Sequence, residues 1–420
     1  MLETTENKGV VSETAVSTAG GAMPLRAEPP ADDGRYMRLN LGPSHPATHG
    51  TLRIFVELEG ELIHDMKLEI GYLHRCFEKM TETHTWNQVI PFTDRLNYCS
   101  AMMNNVGYVM AVEKALGIEV PKRCQRIRVI ISEMARIIDH LVCIGTNAVD
   151  IGALTCFWYF FRERENIYDL FEALCGARLT TSYTRVGGLY KDLPEGWVDW
   201  CKKVLANLPR TLDDVDGLLT ANRIWIERTK GAGIISKELA MDYGFTGPCL
   251  RACGVPYDIR KAHPYYDYDK FDFEVPTQTE GDTYARYLVR MAEIRQSLRI
   301  LDQALKDLPD GPVNVDDWSV VLPPKEEVYN SIEGLMAHFK HFMHGIRPEK
   351  GEVYSYTEAA NGELGFFVSS DGQGRPYRVR CRPPCFAIYQ AFPDMCRGQT
   401  ISDVVAALGS INIVAGELDR

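Results

Sequence analysis

The feature that most restricts the fold of this chain is a run of apolar residues at helical spacing, from residue 121 to about residue 144. Its apolar positions are Ile127, Ile130, Ile131, Met134, Ile137, Ile138, Leu141 and Val142. Recurrence every three or four residues places them on one side of an α-helix, and other elements must cover such a side. The run therefore predicts a central core helix with further helices around it.

Other segments with helical spacing complete a bundle. They cover residues 93–116, ended by Gly117, and residues 153–175, 194–219 and 282–308. Before the bundle, β-branched and alternating residues predict strands at 36–41, 51–58 and 61–70. After it we expect a helix over 325–343, strands around 352–356, 363–369 and 377–381, and a short helix over 402–408. The predicted fold class is α+β, mainly α.

The chain has 420 residues, which is enough for two to three folding units. The changes of pattern along it predict four regions. We expect a disordered tail over 1–34, an N-terminal β-sheet with its loop over 35–71, a helical bundle core over 72–310, and a C-terminal α/β region over 311–420 packed on the bundle.

The composition excludes several classes of protein. The chain has 46 Lys and Arg residues against 57 Asp and Glu, a net charge of −11, which argues against nucleic acid as a partner. The longest apolar run, 151–161, is too short for a membrane span, which needs about 20 residues. The 12 cysteines form no C-x-x-C pair. We therefore expect reduced thiols and no metal bound by this chain alone.

The most unusual local sequence is GPSHPATHG at residues 42–50, between two predicted strands. Its prolines and glycines predict a stiff loop that holds His45 and His49 at defined positions. An imidazole can donate or accept a proton near neutral pH, because its unperturbed pKa is about 6.5. A hairpin whose histidines only bond the backbone is the alternative.

Two further side chains could carry chemistry. Tyr98 follows Asp94 at the expected start of the helix over 93–116, where Thr93 or Asp94 could cap the helix. A phenol there can donate a hydrogen bond to a carbonyl oxygen, although an ordinary half-buried tyrosine would look the same. Asp150 lies after the central helix in apolar surroundings, where a carboxylate needs a partner unless it reaches solvent.

These segments together resemble a known family, the D-type subunits of NADH-quinone oxidoreductase (respiratory complex I), which are related to the large subunit of nickel–iron hydrogenases. The resemblance covers residues 36–420. Its motifs are GPSHPATHG at 42–50, IGYLHRCFEKM at 70–80, DRLNY at 94–98, VDIGALT at 149–155, FRERE at 161–165, SYTRVGG at 182–188, DIRKAHPY at 258–265, KGEVYSYTEAANGELGFF at 350–367 and GELDR at 416–420. It implies a hydrogenase large-subunit-like bundle.

The resemblance also implies the roles of individual residues. His49 and Tyr98 match residues that bind a quinone headgroup, menaquinone or ubiquinone, and Asp150 matches the partner of the histidine. Arg75 and Arg95 match arginines beside a [4Fe–4S] cluster that belongs to the adjoining B-type subunit and supplies the electrons. Hydrogenase activity is not expected, because the two C-x-x-C pairs that hold the hydrogenase metals are missing.

The implied setting is a proton-translocating complex at the cytoplasmic side of the plasma membrane, with this chain as a peripheral subunit. Its expected partners are the B-type and C-type subunits, the other subunits of the hydrophilic arm and the membrane-arm subunit of the quinone tunnel. A relative fed by ferredoxin or reduced deazaflavin, or an inactive scaffold, would share much of the pattern. Thr180 and Asn412 depart from it, at positions where many members carry a histidine and an acid.

Overall fold

The computed structural model describes residues 36–420, so the tail predicted over 1–34 lies outside the described residues. The described part begins with an antiparallel sheet in the order β1-β2-β3, formed by β1 (Met37–Leu41), β2 (Arg53–Glu59) and β3 (Leu62–Glu69). Alternate residues of β2 are buried, as expected for a sheet with one covered face. The three predicted strands are confirmed, and the loop over 42–50 joins β1 to β2.

The first long helix begins later than predicted. Two short helices, α1 (Phe77–Thr81) and α2 (Ile90–Thr93), precede a 3-10 turn at Tyr98–Ser100, and only then does α3 (Ala101–Leu116) start. The expectation of one helix from residue 93 is therefore wrong, as is the capping role of Thr93 or Asp94. Gly117 ends α3 in the left-handed conformation, as predicted.

The bundle follows as a series of helices and a small ribbon. Its first long members are α4 (Lys122–Asp150) and α5 (Leu154–Cys175), followed by the ribbon of β4 (Thr184–Arg185) and β5 (Gly188–Leu189). The next are α6 (Trp197–Leu205), α7 (Leu208–Leu219), α8 (Arg223–Thr229), α9 (Lys237–Asp242), α10 (Gly247–Arg251), α11 (Ile259–Ala262) and α12 (Thr283–Lys306). The single helix predicted over 194–219 is thus two helices.

The C-terminal region combines a sheet with short helices. It starts with α13 (Lys325–Asn330) and α14 (Ile332–His344), then the antiparallel strands β6 (Gly351–Ala359), β7 (Gly362–Ser370) and β8 (Arg378–Arg382). It ends with α15 (Pro384–Gln390), α16 (Phe392–Cys396), α17 (Ile401–Ser410) and α18 (Ala415–Asp419). The helix predicted over 325–343 is interrupted at Ser331, which is extended and caps α14.

Helix α4 is the centre of the molecule, as predicted, and it runs six residues further than expected, to Asp150. It packs against α3, α5, α12 and α17, so that even its polar side is covered. Burial of charge along it is compensated by ion pairs, such as Glu133 with Arg260 at 3.1 Å. The prediction of an α+β, mainly α fold is confirmed.

Candidate functional site

The loop over 42–50 is held by its own hydrogen bonds. The Thr48 hydroxyl donates to the carbonyl oxygens of His45 (2.9 Å) and Pro43 (3.2 Å), and Nδ1 of His45 accepts from the backbone N–H of Ala47 (3.2 Å). Gly42 is required at the loop entrance, because it has φ +84° and a Cβ there would lie 2.1 Å from the carbonyl oxygen of Leu52. These hydrogen bonds and the glycine at the entrance define a tight loop conformation.

The two histidines of this loop differ in what they contact. His45 bonds the backbone, which is the structural role considered for both residues. His49 ends the 3-10 turn Pro46–Thr48 with φ 55°, and its ring makes no hydrogen bond within the described residues. It is exposed in the isolated chain, yet the surrounding protein lowers the pKa of the imidazole by desolvation. His49 is thus neutral and available near pH 7.

Tyr98 stands on the 3-10 turn before α3. Asn97 caps this turn, because its side-chain oxygen accepts from the backbone N–H of Cys99 at 3.2 Å. The phenol is half-buried and has no hydrogen-bond partner in residues 36–420. Burial raises the pKa of Tyr98 to about 12, with smaller contributions from Cys99 and other nearby groups.

Asp94 contributes to this region in a way that the sequence did not indicate. It is fully buried, and its carboxylate accepts from the backbone N–H of Ser182 at 3.2 Å and from the Ser182 hydroxyl. It therefore ties the end of α2 to a distant segment of the chain instead of capping a helix.

Helices α4 and α17 connect the two candidate residues. The turn Pro46–Thr48 packs against α17, and the turn of Tyr98 packs against α4. The two helices are in direct contact, where the thiol of Cys143 points to the carbonyl oxygen of Gly409 at 3.8 Å. We call this pair of helices the α4–α17 platform. It carries both the His49 loop and the Tyr98 turn.

Asp150 is the last residue of α4, rather than a residue of the following loop. It is half-buried, and desolvation raises its pKa to about 6. No hydrogen bond or ion pair between Asp150 and His49 is present among the described residues. The carboxyl group therefore gains or loses its proton near pH 6.

Arg75 and Arg95 lie near one another, since the charge of Arg95 contributes to a lowered pKa of Arg75, after burial as the larger cause. Nε and Nη2 of Arg75 are buried without a hydrogen-bond partner in the described part of the chain. Arg95 is exposed, and its guanidinium donates to the carbonyl oxygen of Pro91 at 2.7 Å. Two adjacent cations, one of them unpaired, favour a negatively charged neighbour outside this chain.

Sequence reasoning missed a polar group beneath Tyr98. Asp139 of α4 is fully buried and accepts hydrogen bonds from the amides of Asn97 and Asn412, each at 2.6 Å. Asp139 and His140 lie off the apolar stripe of this helix, so the spacing of apolar residues did not mark them as buried.

Among residues 36–420, no group of three or more His, Cys, Asp or Glu side chains is arranged to hold a metal ion. The cysteines of this part are free thiols. None of its helices combines the length and the apolar character that crossing a membrane requires.

Comparison with known proteins gives the family. Residues 150–420 match the model of the respiratory-chain NADH dehydrogenase 49 kDa subunit. The chain belongs to this family. A relative from Bdellovibrio bacteriovorus, named as the C/D subunit of NADH-quinone oxidoreductase, is 55% identical over 386 residues, 92% of this chain and 69% of the relative.

Two further relatives are named as the D subunit of NADH-quinone oxidoreductase. The protein from Myxococcus xanthus is 54% identical over 92% of this chain and 93% of its own length. The protein from Geotalea uraniireducens is 53% identical over 91% of this chain and 98% of its own length. The match to the 49 kDa family model begins at Asp150 and thus leaves out His49 and Tyr98.

Proposed function

We propose that this chain forms the quinone-reduction site of a proton-translocating NADH-quinone oxidoreductase, in which His49 and Tyr98 bind and protonate the quinone headgroup. The observation that carries the proposal is that both side chains lack a hydrogen-bond partner in residues 36–420 while lying on or next to capped 3-10 turns. Both turns pack on the α4–α17 platform. The names of the relatives support a quinone as the substrate.

The chemistry of a quinone matches these two groups. Its ring has carbonyl oxygens at opposite ends, and reduction by two electrons places negative charge on both. Each oxygen then takes up one proton to give the quinol, so a donor is needed at each end. Since the pKa of Tyr98 is raised to about 12, its phenol keeps its proton until charge develops beside it. The neutral imidazole of His49 donates its N–H to the other oxygen, and it passes on the second proton as its other ring nitrogen takes one up from solvent.

Asp150 acts as the partner of His49 in this proposal. Because its pKa is raised to about 6, the carboxyl group can respond to the loss of a proton from the imidazole. A contact between the two needs a rearrangement of the loop or of the end of α4. Such a movement would transmit the reduction of the quinone to the central helix as an electrostatic signal.

The electrons come, in this proposal, from a [4Fe–4S] cluster in the adjoining B-type subunit, beside Arg75 and Arg95. Positive charge next to a cluster stabilises its reduced form and raises its potential. The unpaired, buried nitrogens of Arg75 support a neighbour that this chain does not supply. Within residues 36–420 no group of side chains is arranged to hold a metal ion, and the proposal accordingly assigns the cluster to the neighbour.

The proposed setting is the periphery of the plasma membrane, on the cytoplasmic side. The partners are the B-type and C-type subunits, the other hydrophilic-arm subunits and the membrane-arm subunit of the quinone tunnel. The name of the Bdellovibrio relative, a C/D protein, supports a C-type neighbour. Menaquinone or ubiquinone is the substrate, and no nucleic acid takes part.

The test is Tyr98→Phe in the intact, purified complex. We expect quinone reduction to slow by about 100-fold, because a positioned general acid contributes roughly 10²–10⁴ in rate. Reduction of the iron–sulfur clusters by NADH, followed by electron paramagnetic resonance, should stay at the wild-type level. Tyr190→Phe, at an exposed tyrosine, is the matched control. Wild-type turnover with the native quinone in Tyr98→Phe would overturn the proposal.

The alternatives have their own readouts. The set of proteins in the purified complex separates an NADH-fed enzyme from one fed by ferredoxin or reduced deazaflavin, because only the first contains an NADH-binding flavoprotein. An inactive scaffold predicts that quinone reduction persists in the double variant His49→Ala/Tyr98→Phe.

A further inference from the structure

The polar group beneath Tyr98 has an unusual composition. Asp139 lies at the centre of the fold with no exposed surface, and its two oxygens accept from Nδ2 of Asn97 and Nδ2 of Asn412, both at 2.6 Å. No arginine or lysine bonds this carboxylate in the described part of the chain. Two neutral amides from distant parts of the sequence therefore satisfy one buried carboxylate.

Each amide fixes a different part of the site. The side-chain oxygen of Asn97 caps the 3-10 turn of Tyr98, and its carbonyl oxygen accepts from Nδ2 of Asn104 at 2.8 Å. Asn412 follows α17 with φ 53°, and its Nδ2 also donates to the side-chain oxygen of Asn361 at 2.7 Å. Asp139 thus joins the Tyr98 turn to the segment that leaves the α4–α17 platform.

We infer that Asp139 is a positioning residue for Tyr98, and that the Asp139–Asn412 pair functions only with one carboxylate and one amide. The inference rests on the proposed quinone reduction. It goes beyond it, because neither residue touches the quinone in that proposal. The Asp139 carboxylate accepts a hydrogen bond from the Asn412 amide, and this contact holds the phenol of Tyr98 in place.

Titratable groups from several elements face Asp139. The titratable groups that face it from its own and neighbouring elements are Tyr98 and Cys99 on the turn, His140 and Cys143 on α4, Arg290 on α12, Cys385 on α15 and Glu417 on α18. Arg290 is the permanent cation among them. Burial lowers the pKa of His140, which is therefore neutral, and raises the pKa of Glu417 to about 7.

A second carboxylate at position 412 would change this balance. In Asn412→Asp, the new carboxylate would take the place of an amide that lies 2.6 Å from Asp139. Two carboxyl groups this close share one proton, with an apparent pKa that is strongly raised for the pair. While the shared proton is present, one carboxyl group can donate a hydrogen bond to the other. Once the proton leaves, the two carboxylates repel each other, and the contact that holds the Tyr98 turn is lost.

The experiment measures quinone reduction by the intact complex from about pH 5.5 to about pH 9, a range that brackets the ordinary pKa of histidine, about 6.5. We expect Asn412→Asp to be active at the acidic end and to lose about tenfold or more of its rate relative to wild type at the alkaline end. The loss should appear with a rise in the KM for quinone, and cluster reduction by NADH should persist at every pH.

Two further variants and one control locate the cause. Asp139→Asn/Asn412→Asp exchanges the carboxylate and the amide, so that one of each remains, and it should restore the wild-type pH profile. Glu417→Gln in the Asn412→Asp background removes the other nearby acid with a raised pKa, and the alkaline loss should remain. Asn330→Asp adds the same charge at an exposed site and should change nothing.

The outcomes separate the two proposals. A flat profile for Asn412→Asp, or an alkaline loss that the exchange variant fails to reverse, would overturn the positioning role of Asp139. Full quinone turnover in Tyr98→Phe would instead overturn the proposed function, whatever the pH profiles show. If Asn412→Asp prevents assembly of the complex, the exchange variant decides the matter, since the inference requires it to assemble and to be active.

Discussion

At the scale of single residues, the His49 loop depends on a position that accepts no side chain. Gly42 has φ +84°, and a Cβ there would meet the carbonyl oxygen of Leu52 at 2.1 Å and the hydroxyl of Thr48 at 2.7 Å. Gly60, in the turn of the same sheet, has φ +65° but no atom within 4 Å of its Cβ position. Replacing Gly60 therefore tests the free-energy cost of the positive φ alone. Replacing Gly42 tests that cost together with the cost of a steric clash.

We expect Gly42→Ala to lower the free energy of unfolding by about 3 kcal/mol or more, and Gly60→Ala by about 1 kcal/mol. Gly42→Ala should also slow quinone reduction, because the loop that carries His49 must move away from Leu52. Urea unfolding of the recombinant protein measures the first effect. Equal losses of stability in the two variants would contradict this account of the loop.

The raised pKa of Asp150 predicts the direction in which the stability of the protein changes with pH. Burial raises its pKa from 3.8 to about 6 in the folded chain, so the folded state binds more protons than the unfolded state between these values. The carboxyl group therefore costs stability as pH rises from about 4 to 6. Asp150→Asn should match wild type near pH 4 and be more stable above pH 6, by about 1 kcal/mol after allowing for partial exposure.

Urea unfolding of both proteins at several pH values tests this prediction, with Asp199→Asn on the exposed surface as the control. A difference between wild type and Asp150→Asn that does not vary with pH would show that burial of the carboxyl group is not its cause.

At the scale of elements, the sequence predicts the type of most segments but fails where distant contacts set their ends. Apolar spacing predicts the strands of the first sheet and the helices α4, α5 and α12. The spacing is regular because each of these elements buries one face. The start of α3 does not, because Asp94 bonds Ser182 and Asn97 bonds Asp139, and both contacts hold residues 94–97 out of a helix. Local patterns contain no information on such partners.

The short C-terminal helix α18 is another element that the sequence did not indicate. The Asp419 carboxylate accepts from the backbone N–H groups of Gly71 (3.0 Å) and Leu73 (2.7 Å), next to Arg75. Gly416 packs on the carbonyl oxygen of Arg95, which a Cβ would approach to 2.3 Å. Helix α18 thus holds the two arginines in one region.

Asp419→Ala should therefore loosen the segment that carries Arg75. Two backbone donors lose a charged acceptor, which corresponds to about 2–3 kcal/mol of stability. Hydrogen exchange of residues 71–75 should become faster in the intact complex, whereas exchange in β6 should stay unchanged. Asp371→Ala, which removes only a local contact to Gln373, is the control. Wild-type protection of residues 71–75 would show that α18 does not hold them.

At the scale of the whole molecule, the fold is held together by buried ion pairs as well as by an apolar core. Arg251 bonds Glu293 of α12 at 2.6 Å and Glu358 of β6 at 2.8 Å, and Glu293 also bonds His140 of α4 at 2.9 Å. The sequence could not predict these pairs, because charged residues on a helix normally indicate its solvent-facing side. Here, long-range packing covers that side too, and Arg251, Glu293 and Glu358 find their partners in other elements.

Glu293→Gln tests whether these pairs stabilise the fold. The neighbouring Arg251 and the hydrogen bond from His140 lower the pKa of Glu293 to about 2 despite its burial, against 4.5 as its ordinary value. Its carboxylate thus contributes stability that is fully present above pH 4.5 and is lost as the pH falls toward 2. Breaking a buried ion pair costs about 3–5 kcal/mol, and this sets the expected size of the loss.

We therefore expect Glu293→Gln to be less stable than wild type by about 3 kcal/mol at pH 7, and the difference to shrink by up to about 1.4 kcal/mol per pH unit below pH 4.5. Urea unfolding of the recombinant protein between pH 7 and 3.5 measures both values, with the exposed Glu195→Gln as the control. A stability difference that persists unchanged at acidic pH would mean that Glu293 contributes through packing, and that its charge is not what joins α4 and α12 to the C-terminal sheet.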